Sequence, residues 1–225
     1  MSAISVRALT HRYPGTPTNT LTDVRLQVAS GSFMALMGRS GCGKSTLLSL
    51  LAGLLRPTEG EIWIGDAPVH RLGERRLLQL RATTVAVVLQ SSGQTLLPYA
   101  TVRQNLSWVR RSARWPDSPA GRDIDELLDR LFLTELADRT VAGLSGGEQQ
   151  RVALAASLVH VPSVLLVDEP TSQLDETTRD AALELIDDVR REAGATMVVA
   201  THDPAVASRA DDLWRMRDGR LAANS

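Results

Sequence analysis

Two hydrophobic periods run along this chain, and the changes between them mark its elements. Residues 4–9 and 23–29 alternate apolar and polar, with Val24, Leu26 and Val28 on one face, which predicts an antiparallel strand pair near the N-terminus. Residues 33–37, 85–89, 164–167 and 195–200 are compact apolar runs of strand length, and residues 61–64 read as a further short strand. Helices are predicted over residues 47–52, stopping at Gly53, and over 74–80, 101–111, 123–133, about 145–159, 177–192 and 203–209. Residues 11–15 and 56–60 read as turns, and 16–20 and 91–95 as loops. Residues 211–216 and 220–222 flank Asp218-Gly219 and read as a terminal hairpin. Strands that alternate with helices predict a mainly parallel sheet covered on both faces.

From about residue 101 helices replace this alternation, and β texture returns at Val164. The predicted division is one α/β core, residues 1–95 and 160–225, with a helical subdomain, residues 96–159, inserted into it. The loop 112–121, rich in Pro, Ser and Arg, separates two of its helices. Trp108 and Trp115 are read as packing residues.

Composition narrows the class. With 225 residues the chain can form one large α/β domain, and its 43% hydrophobic and 23% charged residues are ordinary for a globular protein. A net charge of -1 gives no global electrostatic case for nucleic acid or an anionic membrane as partner. The single Cys42 excludes an internal disulfide and fits a reducing compartment. Residues 1–15 hold no apolar core of signal length, and no run reaches the roughly 18 apolar residues of a membrane span. Any action at a membrane therefore requires another polypeptide to supply the span.

The strongest chemistry follows the strand 33–37. Gly38-Arg39-Ser40-Gly41-Cys42-Gly43-Lys44-Ser45-Thr46 has the form of a phosphate-binding loop, and it lies between a predicted strand and a predicted helix, as its mechanics require. Its glycines let backbone N–H groups approach an anion, and the following helix start adds further N–H groups and a positive dipole end. Lys44 can reach the outer phosphates, and the hydroxyl of Ser45 can ligate Mg²⁺. Cys42, beside Lys44, is read as a small residue that fits the loop. The predicted fold is thus α/β: a phosphate-loop NTPase core with a mainly parallel sheet, N-terminal antiparallel strands and an inserted α-helical subdomain.

A second constellation ends the strand Val164-Leu165-Leu166-Val167-Asp168-Glu169. Ligands of open α/β sheets sit at the C-terminal strand edge. Asp168 is placed to hold the Mg²⁺ shell as the acidic partner of the loop. Glu169, pointing elsewhere, could polarise an attacking water. Gln90 closes another apolar strand and could bridge metal and water. His202 follows the strand 195–200 and could contact the terminal phosphate.

Leu144-Ser145-Gly146-Gly147-Glu148-Gln149-Gln150-Arg151 opens an Ala/Leu-rich helix. Ser145 with Glu148 three residues on makes a capping box. The two glycines also expose N–H groups, which creates a second anion site. One nucleotide in one chain needs only the first site; the economical explanation is that the second serves a nucleotide held by a partner chain.

Together these residues resemble the nucleotide-binding domain of ATP-binding cassette (ABC) proteins, over nearly the whole chain. The resemblance covers Tyr13 as the aromatic that stacks on adenine, residues 38–46 as Walker A, Gln90 as the Q-loop, and residues 144–149 as the signature. It continues with residues 164–168 as Walker B, Glu169 as catalytic base, Ser172-Gln173-Leu174-Asp175 as D-loop, and His202 as switch histidine. Leu89 stands where an aromatic is common and Gln173 where Ala is common; neither departure removes a catalytic group. The resemblance implies an ATPase that uses Mg²⁺, a head-to-tail homodimer in which Ser145, Gly146 and Gly147 meet the partner's nucleotide, and a separate membrane permease. The permease would engage the groove beside the Q-loop, residues 91–101, including Leu96-Leu97-Pro98-Tyr99. The implied place is cytoplasmic, on the inner face of the cell membrane. The pattern Leu97-Pro98, Thr101-Val102, Asn105-Leu106 is similar to the bacterial subfamily of lipoprotein-release and macrolide-export ATPases, which favours export. Two rival readings are a soluble ABC ATPase acting on DNA or ribosomes, and an unrelated phosphate-loop kinase or GTPase. The chain lacks the long coiled-coil insertion or second cassette of the first rival and the Asn-Lys-x-Asp motif of a GTPase.

Overall fold

The computed structural model describes residues 2–88, 96–113, 121–170 and 174–223. Two sheets form the frame. Strands β1 (Ser2–His11), β2 (Leu21–Ala29), β4 (Glu59–Ile64) and β5 (Ala67–Pro68) make an antiparallel sheet in the order β2-β1-β4-β5. Strands β3 (Phe33–Met37), β6 (Val85–Val88), β7 (Val164–Asp168), β8 (Thr196–Thr201), β9 (Asp212–Arg217) and β10 (Arg220–Ala223) make the second, in the order β10-β9-β3-β8-β7-β6. Five of its strands run parallel, and β10 returns antiparallel to β9, as the hairpin at Asp218-Gly219 predicts.

The period-2 side-chain rule divides β3 between two cores. Phe33 and Ala35 face one, with Leu165 and Val167 of β7 and Met197 and Val199 of β8. Met34 and Leu36 face the other, with Leu166 and Val198. The first core is closed by helices α3 (Val102–Ser112), α4 (Ile124–Arg130), α5 (Gly146–Leu158) and α6 (Glu176–Ala193). The second is closed by α1 (Lys44–Leu51), α2 (Glu74–Thr83) and the antiparallel sheet. Burial on both faces explains why β3, β7 and β8 read as unbroken apolar runs. A short α7 (Pro204–Ala207) follows β8.

Several boundaries differ from the sequence reading. Residues 59–60, read as turn, belong to β4, where the β1–β4 register shifts between Arg7 and Thr10. Gly60 serves that irregularity: its φ is +90°, and a Cβ there would sit 2.4 Å from the Ala8 carbonyl oxygen. Helix α4 stops at Arg130 rather than residue 133, because Phe132 turns left-handed at φ +54°. Helix α1 begins at Lys44, three residues before the apolar pattern does, and β2 begins at Leu21. Trp108, read as packing, is 53% exposed. Trp115 and loop 91–95 lie outside the described residues.

Candidate active site

Three adjacent strands deliver the chemistry to one edge. In the pairings, Met37 of β3 lies level with Thr201 of β8, and Ala200 of β8 with Asp168 of β7. The phosphate loop leaves β3, His202 leaves β8 and Glu169 leaves β7, so all three emerge side by side at the C-terminal edge. Beside them is a cleft of about 540 Å³ lined by the loop, Asp168, Glu169 and His202.

The loop is shaped to present amides. Gly43, the N-cap of α1, has φ +109° and offers no side chain to cap the helix, so the first-turn N–H groups remain for an anion. Gly38 carries no Cβ because one would meet the Met216 carbonyl oxygen at 2.5 Å and Cys42 Sγ at 2.7 Å. Cys42 is half-buried against the second core, consistent with a residue that fits its place. Lys44 is buried, and its Nζ donates to the carbonyls of Gly38 (2.8 Å) and Arg39 (3.4 Å), which holds the ammonium inside the loop.

Asp168 is only 2% exposed and accepts a hydrogen bond from the Ser45 hydroxyl. Burial raises its carboxyl above the ordinary carboxylate range, and the nearby Glu169 adds to this; Ser45 and Lys44 oppose it. A cation would stabilise a charge so buried. Among the described residues no cluster of three or more His, Cys, Asp or Glu side chains could hold a metal alone. The donors here are a carboxylate and a hydroxyl, hard oxygens that suit Mg²⁺, an ion that keeps most of its other positions for water and phosphate.

Glu169 takes a left-handed backbone, φ +52°, which costs a non-glycine residue about 1–2 kcal/mol. Asp168 and Glu169, adjacent in the chain, both line the cleft. The Glu169 N–H donates to the Ala200 carbonyl at 2.9 Å, and its Oε1 lies 2.9 Å from Nδ1 of His202. Since a carboxylate accepts, the imidazole proton sits on Nδ1. The carboxylate is buried while the His202 ring is mostly exposed, so the pair spans the cleft wall from core to solvent.

The helix start at residues 145–147 is built differently. Ser145 Oγ accepts from Glu148 N (3.4 Å), and Glu148 Oε2 accepts from both Ser145 N (2.7 Å) and Ser145 Oγ (2.8 Å), forming the predicted capping box. These bonds lower the Glu148 pKa, with smaller help from Arg151 and Arg139. Ser145 and Gly146 are exposed and Gly147 half-exposed. None of the three lines the phosphate cleft. Within the box the Ser145 N–H is taken up by Glu148.

The remaining expected residues divide. Tyr13 lies by the loop, its hydroxyl 3.2 Å from Thr46 Oγ1 and its ring edge-on to His11. Val88 pairs with Val167, so β6 runs toward the same edge, but Gln90 and Leu89 lie outside the described residues, as do Ser172 and Gln173. Asp175 caps α6, accepting from Thr178 N (3.0 Å) and Thr178 Oγ1 (2.8 Å), which lowers its pKa.

Two features escaped the sequence reading. One is Gln150, a buried amide whose Nε2 donates to the Glu169 carbonyl at 2.8 Å. No motif spacing links residues 150 and 169. The other is a second cleft of about 540 Å³ between α2, β6, α3 and α5, with exposed Leu54, Leu78 and Trp108 among its walls. Leu96 lines it too, so residue 96 of the expected groove lies there. His160 also lines it, 6% exposed, with neither ring nitrogen hydrogen-bonded.

Burial holds the His160 imidazole neutral and pushes its pKa down to about 4. In the unfolded chain the ring takes up a proton near pH 6.5. The stabilisation this gives is complete above pH 6.5 and is lost as pH falls toward 4, by about 3 kcal/mol in all. Urea unfolding at pH 7 and pH 4 should therefore show a larger acid loss for the native chain than for His160→Asn. Equal losses would count against it.

The comparisons with known proteins agree with this geometry. The ABC transporter family matches residues 21–172. The lipoprotein-releasing system ATP-binding protein LolD of Geobacter metallireducens is 39% identical over 99% of both chains. The methionine import ATP-binding protein MetN 2 of Burkholderia mallei is 41% identical over 86% of this chain, which matches 48% of that longer protein. Among solved structures, the ATP-binding cassette MJ0796, captured as a dimer in a post-hydrolysis state with ADP and Pi, superposes with a TM-score of 0.88 at 30% identity, covering 98% of both chains.

Proposed function

This chain belongs to the ABC transporter family, and from that premise we propose that two copies, closing on ATP, drive a membrane-spanning permease supplied as a separate polypeptide. The chain itself is the ATP-binding, ATP-hydrolysing subunit. The observation that carries the two-copy reading is the division of anion sites: the phosphate cleft holds the loop, Asp168, Glu169 and His202, while the Ser145-Gly146-Gly147 start lies outside it.

In this reading the N–H groups of residues 41–46 and Lys44 bind the phosphates, releasing Lys44 from the Gly38 and Arg39 carbonyls. Tyr13 swings from Thr46 to stack on adenine. Ser45, Asp168 and Gln90 would hold Mg²⁺, which supplies charge neutralisation on the β- and γ-phosphates. Glu169 accepts the proton of the attacking water. His202, which orients the Glu169 carboxylate through Nδ1, turns its exposed edge to the γ-phosphate. Ser145, Gly146 and Gly147 of the second copy complete the pocket, with the N–H groups of the two glycines as donors. Cleavage of the β–γ bond splits one charged group into two and opens the dimer.

The unit that meets the permease is the helical subdomain, residues 96–159, together with α2. Among the described residues no helix is long and apolar enough to cross a membrane. We place the chain on the inner face of the membrane, held by an apolar permease segment in the cleft beside Leu54, Leu78 and Trp108. Relatives are named for both lipoprotein release and methionine import; the pattern of residues 97–106 favours the release type and thus export. Pull-down of the protein from detergent-solubilised native membrane should recover an integral-membrane partner with several apolar spans. Recovery of DNA or ribosomes instead would overturn the reading. Leu78→Glu, at a side chain 59% exposed and so cheap to alter, should reduce that recovery about tenfold and leave ATP hydrolysis by the isolated protein unchanged.

A further inference from the structure

Glu169 is fixed from both sides of its Cα. Its N–H is tied to Ala200 of β8, and its C=O accepts from Gln150 of α5 in a buried bond of 2.8 Å. Two anchored peptide groups determine where the Cα–Cβ bond points, and hence where the carboxylate lies. The first anchor belongs to the rigid central sheet. The second belongs to the helix that begins at Ser145, five residues and about 7.5 Å of helix axis earlier. Gln150 is 3% exposed, so its amide cannot exchange this carbonyl for bulk water when the helix moves.

We propose that Gln150 is a positioning residue that makes the Glu169 of one pocket respond to the nucleotide in the other. A γ-phosphate docking on residues 145–147 pulls on α5. The helix, hydrogen-bonded throughout its length, carries the displacement to Gln150, and the buried bond passes it to the Glu169 backbone. Because that backbone is held at φ +52°, a small change at its carbonyl swings the carboxylate relative to His202 and the cleft. Each pocket is thereby set for hydrolysis by occupancy of its twin. The inference rests on Glu169 being the base and residues 145–147 being the trans site.

The test is Gln150→Met, which keeps the volume and removes the donor, with Gln150→Glu as a second variant should the first fail to fold. Steady-state hydrolysis is followed against MgATP concentration, beside binding of a fluorescent ATP analogue. The expected result is a kcat about tenfold lower, KM and analogue affinity within twofold of the native chain, and a Hill coefficient that falls toward 1. In a Glu169→Gln background the same change should lower residual turnover no further. An unchanged kcat, a loss shared between kcat and KM, a Hill coefficient that stays at the native value, or a native curve already hyperbolic would each overturn the proposal. Failure of the underlying base assignment reads out separately, as native turnover in Glu169→Gln alone.

Discussion

Glu169→Gln should bind MgATP as the native chain does and turn it over at least about 100-fold more slowly. Removing a positioned general base typically costs 10²–10⁴ in rate, and this substitution changes little else. The amide has the same length, and its oxygen can still accept from His202 Nδ1, where the carboxylate sits at 2.9 Å. The backbone bonds to Ala200 and Gln150 do not involve the side chain at all. The positive φ is already tolerated by one non-glycine residue and suits the other equally. Phosphate release checks the rate, and a fluorescent ATP analogue checks the binding. The variant should also accumulate as an ATP-bound dimer, since closure continues while the opening step is blocked. Turnover within a few-fold of native would remove Glu169 from the base role.

The loop and strands could be read in advance because each was specified locally. Phe33–Met37 is apolar on both faces, so a five-residue run had only a buried strand to form, and it did so with the expected ends. Gly38, Gly43 and Lys44 lie within seven residues of one another, and their geometry is set by backbone freedom rather than by distant partners. The capping box at Ser145 and Glu148 is local in the same sense. What could not be read depends on contacts far apart in sequence. Gln150 and Glu169 meet because α5 packs on the sheet beside β7, and the sequence shows only a polar residue in an apolar helix. Trp108 reads as a packing residue in the sequence, yet α3 turns it to the wall of the cleft. Helix α4 ends three residues before its apolar pattern does, because the spacing of Leu131 and Leu133 persists through the left-handed turn at Phe132; both leucines are buried, but from a loop. Periodicity reports burial, and the helix end was a backbone event that left burial unchanged.

Ser145→Arg should abolish ATP-driven dimerisation while leaving nucleotide binding by the monomer intact. The residue is exposed at the first turn of α5, and the phosphate cleft of its own chain does not include it. Binding in cis therefore has no reason to change. In the dimer the Ser145 hydroxyl and the N–H groups behind it must come within hydrogen-bond distance of the partner's γ-phosphate, about 3 Å. An arginine side chain there props the surfaces apart by more than that, so the amides of residues 146 and 147 lose their anion as well. The dimer should weaken by about 100-fold or more, close to 3 kcal/mol. The substitution also removes the N-cap, whose loss alone costs about 1 kcal/mol of helix stability. Ser145→Ala separates the two effects, because it deletes the cap without the bulk. Light scattering with MgATP in the Glu169→Gln background should show a dimer for Ser145→Ala and a monomer for Ser145→Arg. A dimer in both would mean that the Ser145-Gly146-Gly147 start stands apart from the partner's nucleotide. Each chain would then have to enclose its γ-phosphate within its own 540 Å³ cleft.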